Sequence, residues 1–214
     1  MIISHGRRYI FVHIPKTGGT ALSLALEARA MKDDILIGDT PKAVQRRGRL
    51  KDIHTAGRLW KHSTLADIDG LVSADELDGM VLFTLVRNPW DRLVSYYHWL
   101  REQSFDHIAV RLAASHSFDG FVRDPTVQHS IRSAPYGHYM RDATGSERDA
   151  HFIRLEHLAA VLAPVEAHLG FRLEVGRANT SARDAEYQAY YSDDTAHLVA
   201  TICDQDIARF GYSF

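Results

Sequence analysis

A cation, two hydroxyl groups and two glycines follow an apolar segment near the start of the chain. The apolar segment covers residues 9–14, and residues 21–30 after the glycines are rich in helix-forming types. This order predicts a strand, a tight loop and the N-terminus of a helix, where unpaired N–H groups and the positive end of the helix dipole attract an anion. The loop supplies further donors and close backbone approach through Lys16, Thr17, Gly18, Gly19 and Thr20. We therefore expect it to bind a phosphate-like group.

The loop differs from the Walker A motif, in which the lysine follows the last glycine. Here Lys16 precedes Gly18 and Gly19. A purely structural strand-to-helix turn, with the glycines serving its geometry, is the alternative interpretation.

A second apolar run, residues 80–86, has the pattern of a strand that is buried on both faces. Asn88 and Pro89 are suited to cap and begin the helix that follows. Arg87 would lie at the carboxyl end of the strand, where open α/β sheets bind ligands, and Ser95 about two turns into the helix. A guanidinium and a hydroxyl there predict a second phosphate contact, with capping or ion pairing as the alternative for Arg87.

Together these segments resemble the PAPS-dependent sulfotransferases, whose fold is a modified P-loop α/β fold. Residues 11–22 resemble the 5′-phosphosulfate loop of that family, and residues 86–97 (VRNPWDRLVSYY) resemble its 3′-phosphate motif. Segments 61–65, 152–158 and 206–214 are also similar, in the same order. The resemblance therefore covers most of the chain.

The resemblance implies that 3′-phosphoadenylyl sulfate (PAPS) is the co-substrate. It implies that the 5′ end is held by Lys16, Thr17, Gly18, Gly19, Thr20 and Ala21. It implies that Arg87 and Ser95 hold the 3′-phosphate. Position 21 is often a hydroxyl residue in the family, so Ala21 would contribute only its backbone N–H, and Leu155 stands where the family usually has an aromatic residue.

An acceptor hydroxyl has a pKa far above neutrality and benefits from a general base. The resemblance places a catalytic histidine at His62, with a capping or surface role as the alternative. Lys16 is the other candidate catalytic residue, because its cation could offset the charge that develops on the leaving phosphate. His13 is expected to be a buried core or supporting group, and Asp91 and Glu156 are weaker candidates for the base.

No metal ion is expected, because a sulfuryl group carries less charge than a phosphoryl group and the chain shows no Walker B pattern. The single cysteine, Cys203, has no metal-ligand spacing around it. The net charge of −2 gives no reason to expect nucleic-acid binding. The oligomeric state has no recognisable signal in the sequence.

Strands that alternate with helices predict an α/β fold, a P-loop-like parallel sheet flanked by helices. One sulfotransferase domain is expected over residues 1–214. No apolar run approaches the ~20 residues of a membrane span, and the first predicted strand begins by residue 8. We therefore expect no membrane anchor, no signal peptide and a cytoplasmic location.

The sequence thus predicts transfer of a sulfuryl group from PAPS to a hydroxyl group of a small-molecule or saccharide acceptor, by in-line displacement. A nucleotide-dependent kinase is disfavoured by the position of Lys16, and a non-catalytic binding module by the combination of Lys16, His62, Arg87 and Ser95. Residues 40–62 and 124–150 are expected to be mostly irregular, and acceptor specificity is expected to lie in such loops. Helices are expected at about 63–69, 157–169, 183–189 and 193–209, and the segment 177–183 (RANTSAR) offers an extra phosphate contact.

Overall fold

The computed structural model describes residues 1–176 and 186–214. The strands in these residues are β1 (Ile2–Ser4), β2 (Tyr9–Val12), β3 (Ile35–Leu36), β4 (Val81–Val86) and β5 (His151–Arg154). The α-helices are α1 (Gly19–Ala28), α2 (Pro41–Arg46), α3 (Ala74–Asp78), α4 (Pro89–Arg101), α5 (Ile108–Ser115), α6 (Phe118–Arg123), α7 (Pro125–Arg132), α8 (Leu158–Val161), α9 (Ala163–Leu169), α10 (Asp193–Ile202) and α11 (Asp204–Phe210). Short 3-10 helices occur at Arg47–Leu50, Tyr136–Met140, Leu155–His157 and Tyr187–Tyr190.

The strands form one sheet in the order β3-β1-β2-β4-β5. β2, β4 and β5 run parallel to one another, which confirms the predicted α/β class and its parallel centre. β1 pairs antiparallel with both β2 and β3, so the sheet is extended on one side by a hairpin and a short strand. β1 was not predicted, because three residues are too few to give a readable period.

The described residues divide into two compact units. Unit 1 comprises residues 1–86 and 136–176 and contains the sheet with α1, α2, α3, α8 and α9. Unit 2 comprises residues 87–135 and 186–214 and contains the remaining α-helices. The single domain over residues 1–214 stays a prediction.

Aromatic packing at the centre of unit 1 explains why β2 and β4 are neighbours. Tyr9 and Phe11 on β2 lie with their ring centroids 5.6 and 5.4 Å from that of Phe83 on β4. All three side chains are buried, and their removal from water is a major favourable term for the fold. This core fixes the end of β2, where the predicted loop begins.

Each of the two segments that were expected to be mostly irregular contains a short α-helix, because capping signals were overlooked. Residues 40–62 contain α2, whose N-cap Thr40 accepts a hydrogen bond from Ala43 N–H and is followed by proline. Residues 124–150 contain α7, which begins with the same combination at Asp124 and Pro125. A cap residue before proline is a helix start, even in a polar segment.

Other boundaries also differ from the prediction. The short helix expected at residues 63–69 is a series of turns, and the helix expected at 157–169 is divided at Leu162 into α8 and α9. The helix expected at 193–209 is α10 followed by α11. The segment 177–183, considered as an extra phosphate contact, lies outside the described residues, as does most of the helix expected at 183–189.

Candidate active site

The loop between β2 and α1 is a strained turn that a buried hydrogen bond within the loop stabilises. Lys16 adopts φ +65°, a left-handed conformation that costs a residue with a side chain about 1–2 kcal/mol. Gly18, the N-cap of α1, has φ +83°. The hydroxyl of Thr17, fully buried, donates a hydrogen bond of 2.9 Å to the carbonyl of Ile14. Thr17 was expected to donate this hydroxyl to an anion, but its proton is used to close the turn.

Both glycines are required by close contacts. A Cβ atom on Gly19 would lie 2.1 Å from Cδ2 of His13, and one on Gly18 would lie 2.7 Å from Cδ1 of Leu155. Real Cβ contacts are never this short. The side chains of His13 and Leu155, which follow β2 and β5, therefore occupy the space beside the two glycines.

The N-terminus of α1 has no side-chain cap and no acidic residue in its first turn. Backbone N–H groups at such a terminus, with the helix dipole behind them, favour an anion. Thr20 lies half-exposed in this first turn. The N–H of Ala21 already donates to the carbonyl of Gly18 at 3.1 Å, so it is a weaker candidate donor than the sequence suggested.

His62 lies in a turn and is held beside the loop by a backbone group. Its Nδ1 is 2.7 Å from the carbonyl oxygen of His13. Because a carbonyl only accepts, Nδ1 carries the proton and Nε2 keeps its lone pair in the neutral ring. The ring also contacts His13 edge to face at 4.7 Å and Trp60 at 5.0 Å between centroids. The structure thus orients one imidazole nitrogen as a proton acceptor.

Burial lowers the pKa of His62 to about 4. The hydrogen bond to His13 opposes this shift, and the neighbouring Lys61 cation adds to it. Lys61 is itself paired with Asp39 at 2.6 Å. His62 is therefore neutral over the whole physiological range, the state that a general base requires.

Within unit 1, His13 connects the two parts of the predicted site. Its carbonyl binds His62, and its ring packs against Gly19 at the start of α1. The candidate base and the loop that follows Lys16 are thereby brought together. His13 is buried, as the sequence analysis expected.

In unit 2, Arg87 is fixed at the start of α4. Its Nε and Nη2 donate to the same carboxylate oxygen of Asp91, at 2.8 and 2.6 Å. Asn88 caps α4 by accepting from Trp90 N–H, and Ser95 is buried further along the helix. Ion pairing is the alternative role that the sequence offered for Arg87, and Asp91, at i,i+4 spacing, is the partner.

The fold and loop define an α/β protein in which a helix begins, without a side-chain cap, just after a strand of the parallel part of the sheet. The profile of the sulfotransferase family matches residues 1–158, well over half of the chain. The chain belongs to the sulfotransferase family, which confirms the resemblance found in the sequence.

The crystal structure of mouse sulfotransferase SULT7A1 complexed with PAP is similar in fold. The TM-score is 0.51 and the identity 15%, with 94% of this chain and 84% of that chain covered. At this identity the similarity concerns the fold alone. No curated protein sequence matches the chain.

Two kinds of feature are absent from residues 1–176 and 186–214. None of the helices there combines the length and the apolar character that crossing a membrane would demand. No group of three or more His, Cys, Asp or Glu side chains is placed to hold a metal ion in the same residues.

We expect Gly19→Ala to destabilise the protein by about 1–3 kcal/mol, because the new methyl group overpacks against the His13 ring. Urea unfolding of the purified variants measures the change. Gly48→Ala is the matched control, since a Cβ atom there meets nothing within 4 Å. Equal unfolding free energies for the two variants would contradict the close packing of the loop.

Proposed function

We propose that the protein transfers a sulfuryl group from PAPS to a hydroxyl group of an acceptor. The single observation that carries the proposal is the uncapped first turn of α1, with Lys16 before it and a neutral, oriented His62 beside it. Membership of the sulfotransferase family supports it. The similar mouse sulfotransferase was solved with PAP, the product that PAPS leaves after transfer.

The co-substrate would be bound through both of its phosphate ends. At the 5′ end, Lys16, the hydroxyl of Thr20 and the backbone N–H groups of the loop surround the phosphosulfate. The loop residues that would contribute their backbone N–H groups are Thr17, Gly18, Gly19, Thr20 and Ala21. At the 3′ end, Arg87 offers a planar set of donors and Ser95 a hydroxyl.

The reaction would be an in-line displacement at sulfur. The acceptor oxygen forms a bond to sulfur while the bond from sulfur to the 5′-phosphate oxygen breaks. Nε2 of His62 accepts the acceptor proton, and Lys16 offsets the charge that develops on the leaving phosphate. The products are a sulfate ester and PAP. No step uses a metal ion, because the sulfuryl group carries less charge than a phosphoryl group.

A small molecule or a saccharide with an accessible hydroxyl is the proposed acceptor. The cytoplasmic location also stays a prediction from the sequence.

We expect Lys16→Ala to reduce the rate of sulfuryl transfer by about 10²–10³-fold, because one preorganised donor to the developing charge is lost. Release of PAP from radiolabelled PAPS measures the rate, and circular dichroism verifies the fold. Lys51→Ala, at an exposed position of unit 1, is the matched control. Full activity in Lys16→Ala would remove Lys16 from the mechanism.

We expect stability to depend on pH through His62. Its pKa is about 4 in the folded protein against 6.5 as the ordinary value, so the unfolded chain takes up the proton more readily. The contribution of the neutral His62 ring to the free energy of unfolding is fully present above pH 6.5. It is lost as the pH falls toward 4, and the total loss is at most about 3 kcal/mol.

The measurement is urea unfolding at pH 7, 5.5 and 4.5 for the wild type and His62→Asn. The asparagine amide keeps a donor for the His13 carbonyl but removes the titrating ring, so the variant should lose less stability on acidification. His129→Asn, an exposed position on α7, should follow the wild type. Parallel curves for the wild type and His62→Asn would refute the buried, neutral state of His62.

A further inference from the structure

A narrow polar cleft lies beside the first turn of α1 in unit 1. Its walls include His13, Thr20, Ser23, Asp39 and Lys61. The cleft accommodates a group about the size of a water molecule or of a single hydroxyl. It is therefore suited to hold one polar group against the loop.

The His13 ring is the unexplained part of this cleft. Only 6% of the residue is exposed, and among the described residues its ring nitrogens make no hydrogen bond. The ring packs against the rings of Phe11 and His62, but neither of these contacts is a hydrogen bond to a His13 nitrogen. Neither ring nitrogen is among the completely enclosed, unpaired side-chain atoms of the described residues, so the ring keeps an open edge at which a group in the cleft could form a hydrogen bond.

The direction of the ring identifies where that partner would be. A Cβ atom on Gly19 would lie 2.5 Å from Nε2 of His13, so the Nε2 edge faces the start of α1. The proposed function places the phosphosulfate group at this helix terminus. Burial, with His62, Lys61 and Lys16 nearby, lowers the pKa of His13 well below its ordinary value. The neutral ring then offers one donor and one acceptor.

We propose that His13 binds the acceptor hydroxyl in this cleft and holds it against the sulfuryl group of PAPS. The inference rests on the proposed function and adds a second histidine to the acceptor side. His13 stays neutral throughout. The acceptor oxygen bonds to sulfur, the bond from sulfur to the 5′-phosphate oxygen breaks, the proton passes to Nε2 of His62, and PAP departs.

Hydrolysis of PAPS tests the proposal without a known acceptor, because water is the smallest hydroxyl that the cleft admits. Release of sulfate from ³⁵S-labelled PAPS is compared in the wild type, His13→Phe, His13→Gln and the exposed-site control His129→Phe. Phenylalanine keeps the ring that packs on Gly19 and His62 but cannot hydrogen-bond. Glutamine restores a polar group near the position of Nε2.

We expect His13→Phe to hydrolyse PAPS about tenfold more slowly or worse, the effect of one lost hydrogen bond at the reacting group. His13→Gln should recover most of the rate, and His129→Phe should match the wild type. Thermal stabilisation by PAP should be unchanged in all variants, since the loop is intact. A His13→Phe rate equal to that of the control would overturn the proposal, because the ring would then serve packing alone. Loss of PAP stabilisation in His13→Phe would also overturn it, because the substitution would then act on the nucleotide site and not on the acceptor.

A measurement on the wild type covers the case in which His13→Phe does not fold. The ¹⁵N resonances of the His13 ring should shift when glycerol is added to the PAP complex, and no shift would overturn the proposal. If the wild type neither hydrolyses PAPS nor is stabilised by PAP, the proposed function fails together with this inference. If it does both and the variants do not differ, only the role of His13 fails.

Discussion

The turn from β2 into α1 leaves a helix N-terminus without a side-chain cap, and much of unit 1 serves to hold this turn. The left-handed conformation of Lys16 is unfavourable in isolation, whereas Gly18 adopts the same region without strain because it has no Cβ atom. The aromatic core under β2, the hydrogen bond from Thr17 to Ile14 and the side chains packed on the glycines compensate for that cost. The loop is therefore held in one conformation by its own contacts, and the anion binding that we propose there would need little rearrangement.

Burial has a second consequence beside the loop. Desolvation keeps His62 neutral, and the carbonyl of His13 decides which of its nitrogens carries the proton. A low pKa weakens the ring as a base but ensures that nearly all molecules hold the reactive form near neutral pH. The end of one strand, at His13, thus sets both the position and the tautomer of the neighbouring imidazole.

The sequence predicted the parts that have a strong local signal. β2, the loop and α1, and likewise β4 and α4, follow from apolar runs that meet proline and glycine. The contact of the His13 ring with Gly19 could not be predicted, because it depends on how a strand and a helix meet in space. The hydrogen bond from the Thr17 hydroxyl to the Ile14 carbonyl also depends on the folded turn, so the sequence alone assigned this hydroxyl to a ligand. In contrast, the caps Thr40 and Asp124 were readable in the sequence and were missed.

The central proposal is that the protein binds PAP, the adenosine that carries phosphates at both its 3′ and 5′ positions. Calorimetric titration with PAP and with adenosine 5′-phosphate tests this most directly. PAP should bind about tenfold more tightly or better, because a charge-assisted contact to the 3′-phosphate contributes about 1.5–3 kcal/mol. Equal affinities, or no binding of PAP, would contradict the account.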